Sequence, residues 1–488
     1  MRRTRKYCLW LLLGLACCRS LYAQNTGPAD LPPTDSSSLK PPDSPGANNA
    51  DDRPFVIRHI ILQGNRKTRP DIILREIPFK EGNELPLQEL VKRFEKARRQ
   101  LMNTALFHEV VVALKSFEGY SIDVLVEVKE RWYIFPVPYL KPVDRNLNQW
   151  LVEQKASLSR VNYGGKLLYN NFTGRNDKLR VWLINGYTKQ LSFNYDRLYI
   201  DKKMKWGLNT TLVMGRNREL NYTTFNDKQS FLKTDNYIRN FFSASTEITY
   251  RRAIKTRHRF GIGYTIEQVG DTVIKLNPAY FKYERNRIEF PELYYIMTFY
   301  DVDYIPYPTK GYAAEVMVNK KGFTKFYNLF QLTGKGFASW PTGKRSFFSL
   351  NAYGTVKLPF SQPYFNQRLL GYNDIYMQGY EYYVVDGVAG GYLKASFGRK
   401  LVSFNVKVPG TKKIAPQKIP FNVFARIYGN AGYTYHPNPI NNGLSNKMLY
   451  STGLGIDITT IYDFTFRIDW SFNQLGQNGL FLHKKAVF

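Results

Sequence analysis

The sequence predicts an all-β transmembrane barrel of about 16 antiparallel strands, preceded by one small α+β domain. Three observations predict this fold. Aromatic residues make up 16% of the chain, with 36 Tyr and 33 Phe, although the mean hydropathy is negative at −0.39. No run of about 18 apolar residues follows the N-terminal segment, which excludes transmembrane helices. From residue 132 onward, apolar and polar residues alternate in short segments separated by turn residues.

The first 52 residues predict an export leader followed by a linker. Residues 1–23 have a basic start, an apolar run over Leu9–Cys17 and a small residue for cleavage at Ala23. A lipoprotein leader, with Cys17 or Cys18 acylated, is the alternative. Residues 24–52 are rich in Pro, Ser, Asp, Asn and Gly, which is typical of a disordered linker.

The formal net charge of +30 indicates anionic partners. The chain has no nucleic-acid fold signature, and its first residues predict an export leader. We therefore expect phosphate-bearing headgroups of the outer membrane, such as those of lipopolysaccharide, and no nucleic acid.

Residues 53–131 predict a small α+β domain. The pattern gives a strand, two helices and two further strands, at about 55–62, 71–77, 86–102, 109–115 and 121–130. Thr68 is expected to cap the first helix. The second helix places its apolar residues on one face at helical spacing, so it should cover a small sheet.

Residues 132–488 predict the barrel, and no helix is expected there. The segment 461–473 alternates most clearly, with Phe466 and Trp470 on one face and Arg467 and Asp469 on the other. In a membrane barrel the apolar face contacts lipid and the polar face lines the lumen. The predicted strands start near residues 132, 161, 177, 189, 205, 236, 256, 290, 310, 326, 344, 388, 421, 447, 461 and 479.

The stretch Arg368–Gly387 lies between two predicted strands and is too rich in Tyr, Val and Leu for an exposed loop. We expect it to pack inside the barrel. Its centre, Met377-Gln378-Gly379-Tyr380-Glu381, resembles the (V/I)-R-G-(F/Y) motif in the lumenal loop of the BamA/TamA family.

Other segments extend this resemblance from about Arg53 to the end of the chain. The β-α-α-β-β order resembles a POTRA domain. The turn Pro308-Thr309-Lys310-Gly311, after the eighth predicted strand, resembles the P-T-x-G turn of the family, and it would be periplasmic. The terminal Phe488 resembles the aromatic signal by which barrels are recognised for insertion. The resemblance implies an outer-membrane protein with its POTRA domain in the periplasm.

The sequence departs from the family at two matching positions. The motif Arg is Gln378, and the Asp with which it pairs in a F-x-D-x-G strand is Asn430. Two amides can hydrogen-bond, and changing both residues avoids a stranded buried carboxylate. We hypothesise that Gln378 contacts Asn430, with Asp457 and Asp469 as further candidate partners. A Gln378 that faces lumenal water is the alternative.

The sequence contains no recognisable catalytic site. The five histidines are scattered, and no G-x-S-x-G motif is present. All three cysteines lie within residues 1–23, so the processed chain would have no thiol nucleophile, disulfide or Cys metal site. The acidic residues near Arg467 indicate a lumenal charge ladder. We expect no enzyme, cofactor or metal, and an outer-membrane phospholipase or protease is a weak alternative.

The resemblance implies a factor that assists insertion or translocation of other proteins. Its partners would be unfolded client outer-membrane proteins, outer-membrane lipid and possible accessory envelope proteins. An extended client could add to the edge of the POTRA sheet. Pro136 and Pro138 predict a weak first strand, and hence a weak seam with the last strand. A passive pore or dedicated transporter, and a structural subunit of a larger complex, remain open.

Overall fold

The computed structural model shows an N-terminal domain followed by a large antiparallel sheet. It describes residues 53–142, 150, 155–201, 205–251, 253–372, 374–407, 418–440, 442–460 and 464–484. The predicted leader and linker, and the predicted terminal signal Phe488, lie outside the described residues.

The N-terminal domain is a four-stranded sheet covered by two helices. Its elements are β1 (Phe55–Gln63), α1 (Pro70–Glu76), β2 (Glu84–Leu85), α2 (Leu87–Asn103), β3 (Phe107–Glu118) and β4 (Ser121–Glu130). The sheet order is β2-β1-β4-β3, and β1 runs parallel to β4. Ile57, Ile73, Leu90 and Phe107 are at most 1% exposed, so this small domain has its own apolar core.

The second sheet contains sixteen strands. They are β5 (Ile134–Pro142), β6 (Val161–Asn170), β7 (Lys178–Gly186), β8 (Thr188–Tyr199), β9 (Trp206–Asn217), β12 (Arg239–Tyr250), β13 (Thr256–Val269), β14 (Arg287–Val302), β15 (Gly311–Lys321), β16 (Leu329–Pro341), β17 (Ser346–Leu358), β20 (Ala389–Lys407), β21 (Lys418–Tyr435), β22 (Met448–Thr459), β23 (Thr465–Asn473) and β24 (Asn478–Lys484). Four short strands lie in its connections: β10 (Glu219–Phe225), β11 (Lys228–Lys233), β18 (Arg368–Leu370) and β19 (Val385–Asp386). Each of the sixteen pairs antiparallel with the next, which confirms the predicted fold class.

The expectation of no helix after residue 132 is wrong. Helix α3 spans Asp271–Leu276, and 3-10 turns span Leu158–Arg160 and Tyr364–Asn366. Helix α3 buries Val273 and Ile274 in an apolar cluster. Six residues are too few to produce a helical period in the sequence, so the pattern did not reveal it. Among the described residues, no helix is long and apolar enough to cross a membrane.

The sixteen-stranded sheet is apolar outside and polar inside. In β23, Phe466 and Trp470 are 53% and 49% exposed, whereas Asp469 and Ser471 are fully buried. Strand β22 repeats the alternation, with Leu454 and Ile456 exposed and Ser451 and Asp457 buried. A protein folded in water has the reverse arrangement. This alternation is typical of a barrel that contacts lipid.

The first and last strands of this sheet lie at its two ends. Strand β5 pairs with β6 and β24 pairs with β23, and among residues 134–142 and 478–484 no ladder joins β5 to β24. Pro136 and Pro138 lie within β5 and have no N–H to donate. The described strands therefore leave a seam between β5 and β24.

The N-terminal domain contacts one rim of the sheet. This rim consists of the connections that follow the even-numbered strands of the sixteen. Asn171 Nδ2 donates to Thr68 Oγ1 at 2.9 Å, and Ile305 N donates to Asn103 Oδ1 at 3.3 Å. Thr68 does not cap α1 as expected, because its hydroxyl instead contacts Asn171 and Tyr133; the N-cap residue is Arg69.

Candidate functional site: the lumenal loop and its wall

The predicted central stretch forms the connection between β17 and β20. At its base, β18 pairs with β19, with Arg368 opposite Asp386. Leu369, Val384 and Val385 are at most 2% exposed. We call residues 368–387 the lumenal loop, since its contacts below are with inward-facing residues of the sheet.

The five motif residues lie at the tip of the lumenal loop, and all are buried. Glu381 turns back on the motif, where its Oε2 accepts a hydrogen bond from Gly379 N at 2.8 Å. Gly379 has φ +89°, and an added Cβ would lie 3.1 Å from Ser451 Cβ. Tyr380 Oη donates to the carbonyl of Tyr450 at 3.1 Å. The motif therefore folds on itself and packs against β22, while Met377 belongs to the apolar cluster beneath it.

The lumenal loop also holds the inner face of the last strand. Glu381 Oε1 lies 3.1 Å from His483 Nε2, and Tyr376 stacks on the His483 ring with centroids 4.7 Å apart. Tyr382 contacts the Phe481 ring at 5.5 Å. Because β24 borders the seam, these contacts place the loop motif next to the unjoined edge of the sheet.

Asp457 and Asp469 pair with side chains of the barrel wall, and their contact with the loop motif stays a prediction. Asp457 accepts hydrogen bonds from Arg467 Nε at 2.9 Å and from Tyr307 Oη at 2.8 Å. Asp469 accepts a hydrogen bond from Arg426 Nη2. Both carboxylates are fully buried. A buried carboxylate is stabilised best by a guanidinium, and the wall supplies two of them.

The hypothesised contact between Gln378 and Asn430 is not a hydrogen bond. Asn430 Nδ2 instead donates to Ser451 Oγ at 2.9 Å, because Ser451 lies directly opposite Asn430 in the β21–β22 ladder. The amide oxygens of Gln378 and Asn430 have no hydrogen-bond partner among the described residues. The two side chains do line the same cavity, of about 150 Å³, between the loop and the wall. They are 2% and 5% exposed.

The Pro308–Gly311 turn lies on the rim that contacts the N-terminal domain. Asp303 holds this turn: its carboxylate accepts hydrogen bonds from Thr309 N at 3.0 Å, from Thr309 Oγ1 at 2.6 Å and from Lys310 N at 3.1 Å. Gly311 follows at φ +110°, where an added Cβ would lie 2.0 Å from the carbonyl oxygen of Asp301. The turn therefore requires both an acceptor at 303 and a glycine at 311.

The sequence reasoning missed a hairpin, formed by β10 and β11, over the opposite rim. Its tip residue Asp227 accepts hydrogen bonds from Gly443 N at 2.9 Å and Leu444 N at 3.1 Å, and its carbonyl accepts one from Val384 N at 2.8 Å. Burial raises the pKa of Asp227 above its ordinary value despite these amide donors. Asn226-Asp227, both at positive φ, is the hairpin-turn signal that could have revealed it.

Residues 55–131 match the sequence profile of the POTRA family, described as surface antigen variable number repeat. The chain therefore carries a POTRA domain. The described structure also resembles CdiB from Escherichia coli, with a TM-score of 0.51 at 11% identity over 88% of this chain and 74% of CdiB. BamA from Haemophilus ducreyi lacking POTRA domains 1–3 gives 0.48 at 14% identity, over 88% and 83%. A search of curated protein sequences found no match. The likeness to CdiB supports a shared fold.

Proposed function

We propose that this protein is an outer-membrane barrel of the BamA/TamA type that assists the insertion or translocation of other proteins. One observation carries the proposal: in the part of the chain that the structure describes, a sixteen-stranded sheet with an apolar outer face leaves its first and last strands unjoined. An unpaired strand edge is a template for another strand. Placed in a bilayer, this edge would offer a client strand both hydrogen-bond partners and lipid.

The proposed orientation puts the POTRA domain in the periplasm and the β10–β11 hairpin at the outer surface. The exposed apolar belt would contact outer-membrane lipid, and the net charge of +30 would favour phosphate-bearing lipopolysaccharide. Accessory envelope proteins could bind the exposed parts of the POTRA domain.

Client capture is assigned to the edge of the POTRA sheet. Strand β3 is an edge strand of twelve residues, and Val111, Leu114 and Phe117 along it are 42%, 45% and 73% exposed. An extended client can add to such an edge through main-chain hydrogen bonds. The apolar side chains would then favour an alternating, membrane-strand sequence.

The lumenal loop holds one strand of the seam, β24, from inside the barrel. Its contacts with Phe481 and His483 fix the inner face of β24, while the prolines weaken β5 from the other side. The seam would open on the β5 side, with β24 remaining attached to the loop. A lumen that contains a buried loop is a poor passive pore, which favours handling of strands at the seam.

Depletion of the protein in its host, followed by quantitative proteomics of the outer membrane, tests this function. Loss of many unrelated barrels is the result expected of a general assembly factor, and loss of one protein indicates a dedicated translocator. An unchanged set of barrels would overturn the assembly function.

A complementing variant tests the seam itself. One cysteine in β5 and one in β24 should form a disulfide on oxidation, and the cross-linked protein should then fail to complement until it is reduced. The two single-cysteine variants are the matched controls. Complementation by the cross-linked protein would contradict a role for the seam.

A further inference from the structure

Two buried amide oxygens face the cavity between the lumenal loop and the barrel wall. Gln378 Oε1 comes from the loop and Asn430 Oδ1 from β21, and neither has a hydrogen-bond partner among the described residues. Buried polar atoms are rarely left unpaired, so the site calls for a donor. The donor must reach both the loop and the wall.

Lys394 is placed to supply it. In the β20–β21 ladder, Lys394 lies directly opposite Asn430, so the two side chains leave the sheet side by side on one face. Its Nζ lies 4.6 Å from the ring centroid of Tyr376 on the loop and 4.1 Å from that of Tyr392 on the wall. These distances are those of cation–π contacts, and they fix the ammonium at the boundary between loop and wall.

The other cations that line the cavity form ion pairs with carboxylates, including Lys335 with Glu315, although Arg426 Nε has no hydrogen-bond partner among the described residues. Arg426 binds Asp469, and Arg467 binds Asp457. No described residue accepts a hydrogen bond from Lys394 Nζ, although an ammonium has three N–H donors. Asp374, a carboxylate that also lines the cavity, is exposed at its edge. Lys394 therefore brings an ammonium donor into the cavity that the two unmatched acceptors also line.

We propose that Lys394 is the positioning residue of the lumenal loop. Its ammonium bridges the amide oxygens of Gln378 and Asn430, directly or through one water molecule, while the Tyr376 ring closes over it. The wall, and not residue 378 of the loop, thus provides the cation that holds the loop in the lumen. This role concerns the position of the loop, and it holds whatever the protein does to its clients.

Hydrogen exchange of the loop amides 375–384, measured on the purified full-length protein, tests the proposal. Lys394→Met keeps the length of the side chain and removes the cation; it should speed exchange in the loop about tenfold or more, with strands such as β14 unchanged. Lys394→Arg, the matched control, keeps the cation and should protect the loop. Equal exchange in wild type and Lys394→Met, or equal loss of protection in both variants, would overturn the proposal.

Reciprocal variants keep the test decisive if Lys394→Met folds poorly. Gln378→Arg alone would put a second cation into the cavity and should loosen the loop. The double variant Gln378→Arg with Lys394→Met again has one cation in the cavity, now supplied by the loop, and it should restore protection of the loop amides. A double variant that is no better protected than Lys394→Met contradicts a positioning role for the cation. A set of outer-membrane barrels that is unchanged on depletion of the wild-type protein would count against the proposed function, and it would leave the result of the exchange experiment as it stands.

Discussion

Glu76 and Arg251 form a buried ion pair that joins the POTRA domain to the barrel rim. Arg251 donates through both terminal nitrogens to the Glu76 carboxylate, with Nη2 2.8 Å from Oε2, and Nη2 also donates to the carbonyl of Ile254 at 3.1 Å. The two residues are 4% and 9% exposed. Helix α1 is therefore held against the connection between β12 and β13.

Replacing Glu76 with Gln should loosen the POTRA domain from the rim. Removing one partner strands a buried guanidinium, which costs about 3–5 kcal/mol. We expect faster proteolysis and hydrogen exchange of α1, with the barrel strands unaffected. The paired apolar change Glu76→Leu with Arg251→Met is the control and should cost less. An equal loss of α1 protection in the single and paired variants would show that the unpaired charge does not cause the loosening.

The same contact should depend on pH. Burial alone would raise the pKa of Glu76, but the hydrogen bonds and charge of Arg251, with the charges of Arg257 and Arg75, outweigh it and hold the pKa below its ordinary value. A lowered pKa gives a stabilisation that is complete above the pKa of the unfolded chain, about 4.3, and is lost as pH falls through the lower folded pKa. Protection of α1 should therefore hold at neutral pH and fall only in acid. A Glu76→Gln variant should lack this dependence, and an equal acid response in both would contradict it.

Gly311→Ala should prevent the rim turn from closing. The new Cβ would lie 2.0 Å from the carbonyl oxygen of Asp301, and φ is +110°, so the cost should exceed about 1 kcal/mol. Gly343→Ala is the matched control, since nothing lies within 4 Å of its added Cβ. The folded fraction, read as the heat-modifiable band on a gel, should fall for Gly311→Ala alone. Similar folded fractions for both variants would refute the steric argument.

Glu381→Ala should release the last strand. The change removes the contact with His483 and the acceptor of Gly379 N, for a local cost of about 1–3 kcal/mol. Exchange of the amides in 478–484 should quicken. Glu289→Ala breaks an ion pair with Arg287 whose side chains are about half exposed, and it should leave those amides unchanged. If β24 exchanges alike in both variants, the loop does not hold the strand.

Alternation and turn residues were sufficient to predict most of the large sheet. Predicted starts near 161 and 256 coincide with strands that begin at Val161 and Thr256. The alternation of apolar and polar residues stops at each turn and begins again with the next strand, so it marks where the strands begin. The hairpin of β10 and β11 was not predicted. It lies in the connection between β9 and β12 and forms a separate two-stranded sheet outside the sixteen-stranded one. Helix α3 was too short to show a period.

Pairing inside the lumen was the part that the sequence could not reveal. Asn430 forms its hydrogen bond with Ser451 because the register of β21 and β22 places the two residues opposite each other. That register is set by the whole sheet. Asp457 and Asp469 were predicted to face inward. The ion pairs of Asp457 with Arg467 and of Asp469 with Arg426 depend on strands that meet only in the folded barrel.

The inverted distribution of apolar residues has a consequence for biogenesis. The POTRA domain buries Ile57 and Leu90 in a core of its own and can reach its final state in water. The sheet that follows leaves Phe466 and Leu454 exposed on its outer face. Closing the sheet in water would leave these apolar side chains in water, whereas closing it in a bilayer transfers them into hydrocarbon, which is favourable. One polypeptide must thus complete its folding in two different solvents. We expect the change from water to hydrocarbon to fall within the few residues between Glu130 and Ile134.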